Sequence, residues 1–265
     1  MVHLIKNPHP VTAVAINAEG TAAISGDEAG IVVIWDLKDP TNPWPVTTAA
    51  IHGGSDVTKA AMSADGRTAI TTSSDTVIVA WDLSDTHRPV PTILPHPLNS
   101  TIDKFVMAPD GKSAVIGHYD GTIKWWDIRD LSRPIKTAVM SHSSRIETVN
   151  ISSNNTTAVT TDSTRAVKVW DLSNPAEPIQ LSTADTPYTG QVRLAAISGN
   201  GEIVMTVDWR GLVATWDTTN QDAVRSTALR NPHMSRIESL DISFDGKAAM
   251  TTDHYKSAIV WELNS

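Results

Sequence analysis

Short apolar runs recur along the chain between polar turns, each of about five or six residues, the usual length of a strand. One stretch shows their order: Val57-Thr58-Lys59-Ala60-Ala61-Met62-Ser63, then Ala64-Asp65-Gly66, then Thr68-Ala69-Ile70-Thr71-Thr72, a brief turn, and Val77-Ile78-Val79-Ala80-Trp81. Runs rich in Val, Ile and Thr, bounded by Asp, Gly and Pro, predict β-strands. Turns like the first recur at Glu19-Gly20, Asp65-Gly66, Asp110-Gly111, Asn154-Asn155, Asn200-Gly201 and Asp245-Gly246. An acid or Asn followed by a residue tolerant of positive φ is hairpin chemistry. After a polar, Pro-containing loop comes a fourth apolar segment, at 46–51, 91–94, 135–140, 179–181 and 224–229. The predicted unit is a four-stranded antiparallel meander.

Alternation between apolar and polar residues is poor. Val14-Ala15-Ile16, Leu194-Ala195-Ala196-Ile197 and Ile203-Val204-Met205 are apolar on both faces, so both faces must be covered. The units also repeat. A tryptophan followed by an acid stands at Trp35-Asp36, Trp81-Asp82, Trp126-Asp127, Trp170-Asp171, Trp216-Asp217 and Trp261-Glu262, at intervals of 46, 45, 44, 46 and 45 residues. A unit this small cannot bury its own apolar faces and has to stack on its neighbours. Sheets packed face to face around an axis meet that need, and Ala in the first two strands suits the narrow end of a wedge. The expectation is an all-β, six-bladed β-propeller of four-stranded antiparallel blades, one domain over 1–265.

Charge and composition narrow the partners. With 21 Lys+Arg against 29 Asp+Glu the formal charge is −8, a poor basis for following a phosphate backbone, so nucleic acid is not the expected partner. Cysteine is absent, which removes disulfides, thiolate nucleophiles and zinc–thiolate sites. Met1-Val2-His3-Leu4-Ile5-Lys6-Asn7-Pro8 lacks the apolar core of a secretion signal, and no apolar run approaches the ~20 residues of a membrane span. A soluble, cytoplasmic monomer without membrane contact or cofactor is expected.

The Trp-Asp endings, the Asp-Gly hairpins and the upstream histidines resemble the WD-repeat family over essentially the whole chain. The resemblance implies a rigid scaffold that holds other proteins. In the family pattern an Asp six positions before the tryptophan bonds to a His in the loop before the first strand. Only Asp75 and Asp120 keep that place, which elsewhere holds Ala29, Thr164, Arg210 and Tyr255. Eight positions before the tryptophan stand instead Asp27, Asp162, Asp208 and Asp253, with Ser73 and His118 in the other two units. This departure bears on the buried hydrogen-bond network that the pattern implies.

Closure is expected from the ends. The last repeat stops shortly after Trp261 and lacks a fourth strand, while Val2-His3-Leu4-Ile5 have the make-up of one. Pairing the two would complete the last blade and remove an edge. The alternative is a six-repeat arc from a longer array.

In such a meander the loop before the first strand and the turn between the second and third share one side, where the irregular residues fall. Tyr119 and Tyr255 map to second-to-third turns, Tyr188 to a loop before a first strand, and Trp209 with Arg210 to another turn. Arg145, Arg193 and Arg236 lie where first strands start, among Asp103, Glu147 and Glu238. Tyr, Trp and Arg are the residue types that most often hold partners. The expected partner-binding set is therefore Tyr119, Arg145, Tyr188, Arg193, Trp209, Arg210, Arg236 and Tyr255, for a protein or peptide. Taken singly, each could instead cover neighbouring backbone.

Catalysis is the competing class, as a propeller hydrolase or metal-dependent enzyme with an acidic channel mouth formed by Asp27, Asp162, Asp208 and Asp253. The simpler reading has each carboxylate accepting hydrogen bonds from its own turn, or from His142 and His233. No His-Glu-x-x-His, Gly-x-Ser-x-Gly or thiol is present. His9, His52, His96, His142 and His233 recur once per unit, as architecture does, so neither enzyme nor metal site is expected.

Overall fold

The structure, a computed structural model, describes residues 7–263 apart from 96–100, 175–176, 183–186, 189, 221–223, 232 and 234. The described residues form strands, turns and loops only, so no helix is long and apolar enough to cross a membrane. The closing strand expected at Val2–Ile5, and His96, lie outside the described residues.

Two compact units are present. The first comprises the described residues of Met1–Thr101, with Met107–Ala114 and Trp126–Ile135; the second comprises Ile102–Val106, Val115–Trp125 and Lys136–Ser265. The first unit holds a sheet of β1 (Val11–Ile16), β2 (Ala22–Asp27), β3 (Val32–Asp36) and β4 (Trp44–Ala49), and a sheet of β5 (Val57–Met62), β6 (Thr68–Ser73), β7 (Ile78–Asp82) and β8 (Val90–Ile93). A third sheet, of β9 (Ile102–Met107), β10 (Ser113–His118), β11 (Thr122–Asp127) and β12 (Ile135–Ser141), contributes residues to both units. The second unit adds β13 (Ile146–Ile151), β14 (Thr157–Asp162), β15 (Val167–Asp171) and β16 (Ile179–Ser182), then β17 (Val192–Ile197), β18 (Ile203–Asp208), β19 (Val213–Asp217) and β20 (Arg225–Leu229). Its last sheet has three described strands, β21 (Ile237–Ile242), β22 (Ala248–Asp253) and β23 (Ala258–Glu262).

Within each sheet the strands follow chain order, as the meander reading expects. Burial explains the missing alternation: every residue of β10 and of β14 is buried, and β14 meets a layer on each face, with Ala158 in the cluster of Trp125 and Val159 in that of Val192. In the first unit Ile24, Val32 and Ile34 pack with Val57, Val79 and Trp81 across two sheets. The second unit does the same with Val159, Val167 and Val169 against Tyr188, Val192, Val204 and Trp216. Trp125 joins Ile146, Val149 and Trp170 of the following sheet. Five of the repeat tryptophans are buried, and Trp261, on the three-stranded sheet, is half-buried.

Neighbouring sheets are also tied through their first turns. Ala18 N–H donates to Ala64 O and Ala64 N–H to Pro109 O in the first unit; Asn154 N–H donates to Gly199 O and Asn200 N–H to Phe244 O in the second. The turn glycines stand at this seam. Gly201 has φ 76°, and a Cβ there would come 2.7 Å from Thr157 Oγ1. Both the left-handed backbone and the close approach call for glycine. A serine two residues before the acid or Asn completes the turn, as where Ser63 Oγ donates to Asp65 Oδ1 at 2.6 Å and accepts from Thr68 N–H at 3.0 Å. The acid of each Trp-Asp pair caps the following loop: Asp82, Asp171 and Asp217 accept from the N–H two residues on.

Candidate functional site

The side of the second unit formed by the second-to-third turns and the first-strand starts is shaped by a repeated irregularity. In each antiparallel pair β13–β14, β17–β18 and β21–β22 the register slips after the first pair, leaving Glu147, Arg193 and Glu238 as the extra residues. A bulge bends the strand and redirects a side chain. These three charged residues are therefore products of the backbone irregularity as well as of the sequence.

Around Trp209 the bulges assemble a cluster. Trp209 and Arg210 occupy the turn after β18, held by the bond from Trp209 N–H to Gln191 O at 2.9 Å, and the indole is 48% exposed. Arg193 lies over the ring at 5.0 Å from its centroid and Arg236, from the next sheet, at 4.5 Å, both within cation–π range. Arg193 Nη1 also donates to Ile237 O at 3.0 Å and Nη2 to Glu238 Oε2 at 3.2 Å. Glu238 Oε1 is 3.4 Å from Arg236 Nε and 4.0 Å from His254 Nδ1. Tyr255, 71% exposed, has its ring 6.1 Å from that of His254. The structure thus brings Arg193, Trp209 and Arg236 together through the indole and Glu238, with Arg210 exposed next to Trp209 and Tyr255 exposed next to His254.

A second, smaller cluster repeats the theme. Tyr119, 59% exposed in the turn after β10, lies under the Arg145 guanidinium at 4.9 Å. Arg145 Nε donates to Asp103 Oδ2 at 2.6 Å and Nη2 to Oδ1 at 3.0 Å, a bidentate pair that raises the Arg145 pKa further.

Tyr188 requires a correction. It is 4% exposed, its hydroxyl hydrogen-bonds to Thr206 Oγ1, and Trp216 Nε1 donates to the same oxygen at 2.6 Å. Its ring packs against the apolar core between β14–β15 and β17–β19. Burial pushes the phenol pKa up, partly offset by the bonds to Thr206 and Trp216. Tyr188 is a core residue and leaves the contact set.

What Tyr188 replaces is visible in the neighbouring sheets. In one, Trp170 Nε1 donates to Thr160 Oγ1 at 2.8 Å, His142 Nε2 meets the same hydroxyl at 2.8 Å, and His142 Nδ1 meets Asp162 Oδ2 at 3.2 Å. The last sheet repeats this with Trp261, Thr251, His233 and Asp253, at 2.8, 2.7 and 3.0 Å. The network implied by the family pattern is present in these sheets with its Asp eight, not six, positions before the tryptophan. In the first sheet Trp35 Nε1 donates to Ser25 Oγ, which donates to Asn7 Oδ1.

The four aspartates each serve their own turn. Asp27 Oδ1 accepts from the N–H of Ala29 and Ile31, Asp162 Oδ1 from Thr164 and Ala166, Asp208 Oδ1 from Arg210 and Leu212, and Asp253 Oδ1 from Ser257. Burial disfavours the Asp162 carboxylate, but its bonds from Thr164 and Ala166 and the nearby His142 hold its pKa below the usual range. Burial lowers the pKa of His142 to about 4 against the pull of Asp162, and that of His52 to about 4 against Asp75. Among the described residues no group of three or more His, Asp or Glu side chains gathers as a metal would require. A cleft of about 580 Å³ in the first unit is lined by Asp65, Arg67, Asp82, Lys112, Arg129 and Asp130 among others. Asp65, Asp82 and Asp130 there accept hydrogen bonds within their own turns and loops.

Residues 88–127 match the family model described as "WD domain, G-beta repeat". The fold is similar to the crystal structure of the Cps50 (Swd1) β-propeller domain of Myceliophteria thermophila, with a TM-score of 0.70 and 13% identity over 96% of this chain and 84% of that one. No curated protein matches the sequence. At that identity the likeness concerns the fold, which is a β-propeller, and the family match concerns one repeat; together they bear out the Trp-Asp reading.

Proposed function

Taking this chain as a WD-repeat β-propeller, we propose that it is a non-catalytic scaffold that binds a protein or peptide through the second-to-third turns and first-strand starts of its second unit. The observation that carries this reading is the Trp209 cluster. An indole 48% exposed, with two guanidinium groups over its ring, takes no part in the tryptophan network of its sheet, which uses Trp216. Large side chains with a polar tip, left at the surface, are the usual anchors of protein interfaces. The contact set is Arg193, Trp209, Arg210, Arg236 and Tyr255, with Tyr119 and Arg145 as a second contact point. Ring closure by Val2–Ile5 belongs to the same proposal and rests on the sequence, with the outer strand β23 of the three-stranded sheet as the edge it would cover. Affinity capture from the native host tests the binding face: Trp209→Ala with Tyr255→Ala should lose at least one partner that the unaltered chain retains, and an unchanged set of captured proteins would remove this face from consideration.

A further inference from the structure

Charge around Trp209 is unbalanced. Arg193 and Arg236 share a single carboxylate, Glu238, while Arg210 beside the indole and Lys256 beside Tyr255 are exposed. The carboxylates of Asp208 and Asp253 lie underneath but accept from Arg210 N–H, Leu212 N–H and Gly190 N–H, and from Ser257 N–H and His233. Neither forms an ion pair with an arginine of the cluster among the described residues. Arg193 and Arg236 thus share one exposed carboxylate, and two further cations follow Trp209 and Tyr255 in the chain, although the formal charge of the whole is −8. Lys256 even holds φ 68° where the corresponding turns carry Gly30, Gly121 and Gly211.

The same geometry says what the indole would receive. Exposed aromatic rings often hold cations, yet both nearby guanidinium groups already stand over this one, and a cationic ligand would meet their charge. A guanidinium stacked on a ring is a planar fork with little freedom left to lose, suited to a carboxylate. Arg236 has a side chain 44% exposed, and its ion contact is the 3.4 Å approach of Nε to Glu238.

We infer that this cluster receives an acidic protein segment: a Glu or Asp carboxylate on the Arg236 fork, flanking carboxylates near Arg210 and Lys256, and the apolar part of the segment on Trp209 and Tyr255. The inference rests on the scaffold function proposed above and names the chemistry of its partner. Arginine's fixed charge makes such binding sensitive to salt.

Fluorescence anisotropy with three labelled peptides of one length tests it: one alternating Glu with Leu and Gly, one with Gln at every Glu, and one with Lys. The Glu peptide should bind at least about ten-fold tighter than the Gln peptide at low ionic strength, with the difference shrinking as salt is added and the Lys peptide not binding. Arg236→Gln should remove most of that difference. Arg210→Gln, which changes an exposed side chain, should weaken binding several-fold and keeps the test decisive if the first variant folds poorly. Equal affinity for the Glu and Gln peptides, indifference to both substitutions, or equally tight binding of a single-stranded oligonucleotide would overturn the inference. Host capture that depends on Trp209 and Tyr255 alongside a Glu peptide that does not bind leaves the scaffold function standing and removes the acidic partner. Glu-peptide binding through Arg236, with host capture indifferent to both aromatics, upholds the acidic ligand and removes this face as the one that captures host proteins.

Discussion

His142 joins Asp162 through Nδ1 at 3.2 Å while its Nε2 meets the Thr160 hydroxyl at 2.8 Å, and the direction of every proton in this chain is fixed. Thr160 Oγ1 accepts from the Trp170 indole, and because the Asp162 carboxylate can only accept, a neutral His142 leaves Nε2 as the acceptor of the Thr160 hydroxyl hydrogen. Nδ1 then carries the single imidazole proton and donates it to the carboxylate. A neutral histidine satisfies the whole network. A second proton would make Nε2 a donor and oblige the Thr160 hydroxyl hydrogen to leave it for another acceptor.

That arrangement predicts acid sensitivity above the carboxylate range. The ordinary histidine pKa is 6.5, and burial brings His52 and His142 to about 4 in the folded protein. Between those values the unfolded chain binds more protons, so stability is full above the unfolded pKa, falls as pH drops through the window and loses no more from these groups below about 4. Each histidine can contribute up to about 3 kcal/mol of that loss. Asp162, held below its ordinary pKa, adds its own loss only at lower pH. Urea unfolding at pH 7 and at pH 4.5 should show a clearly lower midpoint in acid; coincident curves would contradict the neutral network.

The second sheet has the same chain without its last member. His52 Nε2 meets Thr71 Oγ1 at 2.8 Å and Trp81 Nε1 donates there at 3.0 Å, but Nδ1 of His52 is buried with no partner among the described residues. Ser73 holds the place of Asp162, and its hydroxyl bonds to Asp75 two residues on. Exchanging the two, Ser73→Asp with Asp75→Ser, should give the histidine its acceptor, raise stability by about 1–2 kcal/mol and raise the His52 pKa. An NMR titration of His52 identical before and after the exchange would show that the carboxylate does not reach it.

Strands, repeat length and buried tryptophans were legible in the sequence because burial on two faces and a fixed tryptophan register leave direct marks on it. The bulges were not, since strands such as Ile146–Ile151 and Ile237–Ile242 mix polar and apolar residues without strict alternation, and an extra residue leaves no separate mark on such a pattern. Residue type and a place in the loop before a first strand group Tyr188 with the surface aromatics, although its core position is also readable: it stands 28 residues before Trp216, as His142 does before Trp170 and His233 before Trp261. Likewise Tyr119 and Trp209 each stand seven residues before a repeat tryptophan, and Arg145 and Arg236 one residue before a first strand. Their pairing needs one further fact, that such a turn meets the start of the next sheet, which only the structure supplies. The aspartates' shift from six to eight positions was visible, but its harmlessness depends on Oδ2 still reaching the imidazole.

Backbone conformation in the second-to-third turns gives a pair of opposed predictions. Gly121 has φ 85°, and a Cβ there would come 2.6 Å from Ser144 O and 2.8 Å from His142 O, backbone atoms that cannot rotate away. Gly121→Ala should therefore cost about 2 kcal/mol or more. Thr76 holds φ 71° in the corresponding turn of the second sheet, where a β-branched residue is strained. Thr76→Gly should be neutral or stabilise by up to about 1 kcal/mol, the relief of strain being partly offset by the entropy of glycine. Thermal unfolding of the two variants checks the signs; a destabilised Thr76→Gly protein would mean that the threonine side chain contributes more than its backbone costs.

Separating Tyr188 from Trp209 tests the division between core and surface directly. Removing the buried hydroxyl with Tyr188→Phe leaves Trp216 its acceptor at Thr206 but takes away one hydrogen bond, at a cost of about 1 kcal/mol. Partner capture should be untouched, because the phenol lies inside the sheet stack. Trp209→Ala should do the reverse: its ring is about half exposed and its contacts are guanidinium groups that can return to water, so stability should change by no more than about 0.5–1 kcal/mol while capture is lost. Were Tyr188→Phe to abolish capture at unchanged stability, the phenol would have to reach the partner, and its assignment to the core would be wrong.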